Sequence, residues 1–236
     1  MLPRQQLAKF CGTSPWQKPS GFPPSSFPKL NIDFHVHTSF SSDGRIKLAE
    51  LASLSKQFGI IPALTDHNNM DACSPFKKFE IPFIPGEEIR VAQGDFIGLF
   101  LSEPIPEGID FYEALDLIRA QGALAYVPHM FDALRPGVVK EEYGKAADII
   151  EVFNARSFAR FDRQAEEFAK REGKLMAAGS DAHFPFEFGH TYTELSLTPD
   201  QLEPKSLLRA LKNARIAGKR TSFLKRKIAK YTGIYI

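Results

Sequence analysis

Apolar residues in this chain come in short runs that repeatedly end in a turn carrying histidine or carboxylate. Residues 30–37 read as a buried strand ending in His35-Val36-His37. Residues 47–58 place Leu48, Leu51, Ala52, Leu54 and Phe58 at helical spacing. Residues 59–65 form an apolar strand that runs into Asp66-His67, and 83–89 and 95–101 read as two more strands. A helix is predicted over 111–121, a strand over 123–127 leading to His129, and a strand over 148–153. A helix over 157–172 is stopped by Gly173, and a strand over 175–178 leads to Asp181 and His183. Pro199 opens a last helix carrying Leu202, Leu207, Leu208 and Leu211. Strands alternating with helices predict a largely parallel sheet. The histidines then fall at strand C-terminal ends, the edge where α/β sheets and barrels form their sites.

A chain of 236 residues can bury its core as one domain. The 43% hydrophobic and 25% charged fractions are those of a soluble globular protein. No apolar run reaches the length of a membrane span, and the first eleven residues lack the apolar centre of a secretory signal. Cys11 and Cys73 make no disulfide framework, so a reduced, cytoplasmic location is expected. The net charge of +2 conceals three regions. Residues 1–29 form a proline- and serine-rich arm, with Trp16, Phe22 and Phe27 as anchors. The body, 30–203, holds all 28 acidic residues. Residues 204–236, a basic helix and tail, hold ten basic residues and no acid. An acidic centre suits a site that collects cations, and basic ends suit the acidic body or a phosphate-bearing partner.

His35 and His37, two residues apart on a strand, project from one face, and Asp181 and His183 repeat that spacing. Imidazole and carboxylate together suit zinc, manganese or iron. Asp66 is placed to receive the ring N–H of a ligating histidine, or to cap its own turn. Asn154, Arg156 and Arg90 follow strand-like runs and are candidates for donating to a phosphate oxygen. His190 reads as structural.

The segments HVHTSFSSDG, ALTDHN, IPGEEI, VPH, IEVFNA and GSDAH occur in that order over roughly 30–197. Together they resemble the signature of the PHP (polymerase and histidinol phosphatase) domain family. The resemblance implies a single-domain α/β fold, a distorted (β/α)7 barrel, holding two or three divalent metal ions. It implies a first metal on His35, His37, Glu88 and Asp181, and a second on Glu88 and His129. A third would sit on Asp43, His67 and His183. Glu88 is taken over Glu87 on the PGxE spacing. The strand after that turn, GDFIGLF, lacks a histidine that many relatives carry; Asp95 either replaces it or is a turn residue.

The implied activity is hydrolysis of phosphate mono- or diesters by a metal-bridging hydroxide, most readily on a small molecule. Glu88 and Asp181 would hold the reacting cations, and His183 or bound water would protonate the leaving oxygen. The rivals are a PHP-type nuclease using the basic tail with Phe223, Tyr231 and Tyr235, and a non-catalytic metal-stabilised scaffold. A metal amidohydrolase is a further alternative.

Overall fold

The computed structural model describes residues 29–222 and 224–227. The arm with its anchors Trp16, Phe22 and Phe27, and the tail aromatics Phe223, Tyr231 and Tyr235, lie outside the described residues.

Among the described residues, nine strands form one sheet: β1 (Leu30–Val36), β2 (Ile60–Leu64), β3 (Ile84–Val91), β4 (Gly94–Leu99), β5 (Leu124–Val127), β6 (Ile149–Asn154), β7 (Leu175–Gly179), β8 (Tyr192–Leu195) and β9 (Arg215–Ala217). Their order is β7-β6-β5-β4-β3-β2-β1-β8-β9. The segment after β7 returns to β1, where Asp181 N donates to the His35 carbonyl at 2.8 Å and His37 N to that of Ala182 at 2.9 Å. These bonds bring β1 and β7 together, so β1–β7 make a nearly closed barrel. Its interior cluster draws on every barrel strand, including Ile32 and Phe34, Ile61, Ile84, Ile97, Tyr126, Ile149 and Ala177. Leu202, Leu207 and Leu211 join the same cluster.

Helices cover the outside: α1 (Leu48–Phe58), α2 (Cys73–Phe76), α3 (Phe111–Ala120), α4 (Glu141–Ala146), α5 (Ala159–Arg171) and α6 (Pro204–Leu211). Leu48, Leu51 and Ala52 of α1 turn inward as their spacing predicts, and Gly59, at φ 64°, ends the helix in the left-handed conformation that suits glycine. The Asp110 carboxylate caps α3 by accepting from Tyr112 N at 2.8 Å, worth about 1 kcal/mol.

Two expectations need correction. The sheet is mixed: β3, β4 and β5 pair antiparallel, as do β1, β8 and β9. The stretch opening at Pro199 is a 3₁₀ turn, Pro199–Gln201, and α6 starts separately at Pro204. Proline lacks a backbone N–H and fits the first turn of a helix, so each proline begins its own element.

Candidate metal centre

The strand ends converge on one buried cluster. His35 near the end of β1 and His37 just past it present their Nε2 atoms 3.0 Å apart. Glu88 of β3 places Oε2 3.3 Å from His35 Nε2 and 3.2 Å from His37 Nε2. Asp181, just past β7, places Oδ1 at 3.8 and 3.5 Å from the same nitrogens. Donors about 2.0–2.2 Å from one tetrahedral cation stand about 3.3–3.6 Å apart, and these separations bracket that range. Two imidazole nitrogens facing each other at 3.0 Å cannot satisfy one another when both are in the same protonation state. The donor set therefore fits a divalent cation.

The other candidates gather around Glu88. His67 Nδ1 lies 3.2 Å from Glu88 Oε2, and His129 Nε2 lies 3.1 Å from Oε1. Asp43 faces His183 Nε2 at 3.1 Å and His67 Nε2 at 3.8 Å. Ligand atoms of His37, His67 and His183 fall within 4.8 Å of one another, as do those of Glu88, Asp95 and His129. Glu87, the alternative to Glu88, points away: its carboxylate accepts from Ile105 N at 2.8 Å, and burial pushes its pKa up to about 7. Adjacent residues of a strand face opposite sides, so only one of the pair reaches the cluster.

Backbone conformation supports this aim. His129 (φ 31°) and Asp181 (φ 54°) are in the left-handed region, which costs a non-glycine residue about 1–3 kcal/mol. Gly179 matters differently. A Cβ there would overlap Glu151 Oε1 and His35 Cβ, so only glycine lets β7 pass the His35–Glu151 pair.

Around the cluster stands a shell of orienting bonds. His35 Nδ1 donates to Glu151 at 3.1 Å, so Nε2 is the ring nitrogen turned toward the cluster. Glu151 also accepts from Tyr126 Oη (3.0 Å), His129 N (2.6 Å) and Asn154 Nδ2 (2.9 Å). His37 Nδ1 donates to Ser41 Oγ at 3.1 Å, and Ser41 donates to Asp66 at 2.9 Å. Asp66 thus orients a histidine through Ser41. It does not receive the ring N–H itself, because its oxygens also accept from Thr38 N (2.6 Å) and Thr38 Oγ1 (2.7 Å).

Electrostatics follow from this packing. Burial alone would raise the Glu88 carboxyl and lower the His35 imidazolium. Their mutual attraction wins, holding Glu88 well below and His35 well above the ordinary values. Burial also opposes charge on His37, but hydrogen bonds to Asp181 and Glu88 raise its pKa to about 9. Asp181 is held well below the carboxylate range, against its burial, chiefly by Arg135. His183 is pushed down to about 4 by burial, then by the His37 and Arg156 charges. A neutral imidazole is the form that ligates a cation.

The phosphate candidates are differently placed. Asn154 is buried, with its amide donating to Glu151 and to Asp181 at 3.3 Å. Arg156 lies against His183 and Asp181, with Nε 3.5 Å from Glu187. Arg90 is committed to the buried Asp95 across the β3–β4 pair, so its guanidinium faces a carboxylate and not open site. Burial raises the Asp95 carboxyl and the Glu88 charge adds to this. Sequence reasoning passed over Arg135, which pairs with Asp181 and donates to Asn154 and Ser157 at 2.9 Å each. Glu151 was also missed, although it lies inside the quoted IEVFNA run: three residues from Asn154 it has the opposite strand parity, and the irregularity between Glu151 and Phe153 is what lets the two side chains meet.

The PHP domain model matches residues 33–167, and a PHP-associated model matches 159–216. The uncharacterized protein MJ0417 of Methanocaldococcus jannaschii is 40% identical over 196 residues, covering 78% of this chain and 79% of that protein. In fold, the chain is similar to a two-domain protein from Bacteroides vulgatus containing a predicted PHP-like metal-dependent phosphoesterase. That match has TM-score 0.63 and 24% identity, over 82% of this chain and 66% of the other. It is also similar in fold to Endonuclease Q, solved with a duplex bearing an abasic lesion. Here the TM-score is 0.60 at 16% identity, over 80% of this chain and 58% of the other. With the PHP model covering more than half its length, this chain belongs to the PHP domain family.

Proposed function

We propose that this protein hydrolyses phosphate esters at divalent cations held by the strand-end cluster. His35, His37, Glu88 and Asp181 would hold one cation. Glu88 and His129, with Asp95 beside them, would hold a second, and Asp43, His67 and His183 a third. The observation that carries the reading is the set of four donors from β1, β3 and the end of β7, spaced as one cation requires. Cations there supply Lewis acidity, lowering the pKa of bound water from about 15.7 toward 7 and offsetting charge on phosphate oxygens.

The chain's own residues supply the rest. Glu151 and Ser41 fix the two β1 imidazoles with Nε2 inward. Arg135 and Arg156 stand over Asp181, where a guanidinium can bind an anionic oxygen in fork geometry. The buried surroundings strengthen each of these interactions by keeping bulk water away.

The test is to strip the protein with a chelator, reload it with manganese, zinc or iron, and assay p-nitrophenyl phosphate and bis(p-nitrophenyl) phosphate. Turnover should return with metal and disappear in His37→Ala and Asp181→Ala. Tight metal binding with no turnover of either ester would refute the reading in favour of a scaffold. Among the described residues no helix is long and apolar enough to cross a membrane.

A further inference from the structure

After β9 the chain ties itself to two segments that carry site residues. Lys219 N donates to the His190 carbonyl at 3.1 Å, and Thr221 N to the Ala155 carbonyl at 2.9 Å. Between them, Arg220 donates from Nη1 to the carbonyls of Asn154 at 3.2 Å and Ser157 at 2.6 Å, and from Nη2 to Asp162 at 2.6 Å. The same guanidinium lies 4.9 Å from the centre of the Phe153 ring. A Cβ at Gly218 would overlap that ring, so glycine lets the chain lie this close to β6. Residues 218–221 therefore form a strap. One side holds the turn at 154–157 and the other holds the segment that follows His183.

That turn aims two guanidinium groups. Asn154 Oδ1 accepts from Arg156 N and from Arg135 Nη2, each at 2.9 Å, and Ser157 Oγ accepts from Arg135 at 2.9 Å. Arg156, borne on the turn itself, reaches His183 and Asp181. Asp181 has its own anchor, the bond from its backbone N to the His35 carbonyl at 2.8 Å. Loosening the strap thus shifts the arginines more than it shifts the carboxylate between them. Arg220 suits the task because one planar fork meets two carbonyls and a carboxylate at once, which a lysine ammonium on its flexible stem does not reproduce.

We infer that Arg220 is a positioning residue: it holds the 154–157 turn so that Arg135 and Arg156 meet the anionic oxygens of a phosphate group at the metal centre. The inference rests on the phosphoesterase reading above for the identity of the anion. It gives the segment beyond β9 a part in the site.

The test titrates orthophosphate calorimetrically into the manganese-loaded full chain and records bound manganese and thermal unfolding alongside. Arg220→Ala should weaken orthophosphate binding about tenfold, the loss expected when one charge-assisted hydrogen bond is misplaced, and should keep the wild-type manganese content. Arg220→Lys keeps a charge beside Asp162 and should lose about threefold; it carries the test if Arg220→Ala does not fold. Removing Arg220 also leaves the buried Asp162 carboxylate without its cation, which lowers stability. A control therefore lowers stability elsewhere: Asp110→Ala uncaps α3 and should leave orthophosphate affinity unchanged. Four results would overturn the inference: affinity within twofold of wild type in the folded Arg220 variants, an equal loss in Asp110→Ala, loss of manganese together with phosphate, or no orthophosphate binding by the wild type. Turnover of the p-nitrophenyl esters is read separately. If the esters are not hydrolysed while the affinities divide as expected, the phosphoesterase reading fails and the positioning role of Arg220 stands.

Discussion

Glu151→Gln is a one-atom change with a calculable consequence. The wild-type carboxylate accepts four hydrogen bonds, from His35 Nδ1 and Tyr126 Oη on one oxygen and from His129 N and Asn154 Nδ2 on the other. Glutamine offers one oxygen and one NH₂. With NH₂ toward His129 N and Asn154, donors oppose donors in a buried site, costing about 1–3 kcal/mol of stability. With NH₂ toward His35, the imidazole must accept at Nδ1 and move its proton to Nε2, the atom aimed at the cation. Either way His35 becomes a poorer ligand. Loss of such an orienting partner lowers metal affinity about 10–100-fold, or about 1.4–2.7 kcal/mol. Zinc affinity is measured by competition with a chromophoric chelator, and folding by thermal unfolding of the metal-free protein. A folded variant that binds zinc within twofold of wild type would refute the claim that Glu151 sets the His35 tautomer.

Gly179→Ala should push β7 against Glu151 and His35, destabilise the protein by about 1–3 kcal/mol and weaken metal binding; a normal melting temperature would contradict the contact. Arg135→Ala removes the guanidinium paired with Asp181 and should cost the metal-free protein about 1–3 kcal/mol. Added metal should narrow that gap, because Asp181 then has another cation; an unchanged gap in calorimetry would count against Asp181 as a ligand. His37 titrates near 9 when folded against an ordinary 6.5. Its raised pKa stabilises the metal-free fold fully below pH 6.5 and loses about 3 kcal/mol as pH climbs to 9. Chemical denaturation of metal-free protein between those pH values checks this; stability that rises with pH would oppose it. Cation binding must displace the protons on His35 and His37, so calorimetry in buffers of different ionisation enthalpy should find about two protons released at pH 7.

The cluster was legible because two simple rules coincide: a strand sends alternate residues to one face, and an α/β site forms where strands end. His35 and His37 obey both, whereas Asp181 and His183 obey the second, lying just past β7 with Asp181 in the left-handed region. The PHP resemblance supplied the choice of Glu88 over Glu87, and the alternation of β3 gives its physical reason. The antiparallel β4 was harder to read. The two residues Ala92 and Gln93 between β3 and β4 leave room for a hairpin and none for a crossover helix, but the alternation elsewhere masked that signal. β8 and β9, four and three residues long, are too short to show a period. Arg135 lies in an irregular loop after β5, and no local pattern in sequence tells which carboxylate an arginine will meet. Asp66 was read as an acceptor for a ligating histidine or a turn cap, and Arg90 as a phosphate donor; the partners they have, Thr38 and Ser41 for Asp66 and Asp95 for Arg90, depend on packing between elements.

The central claim is that His35, His37, Glu88 and Asp181 hold one divalent cation together. Anomalous diffraction from crystals of the full chain grown with manganese tests it most directly. The account predicts a peak within bonding distance of all four side chains, lost in His37→Ala. A map showing manganese elsewhere, with these four groups left bonded only to one another, would contradict it.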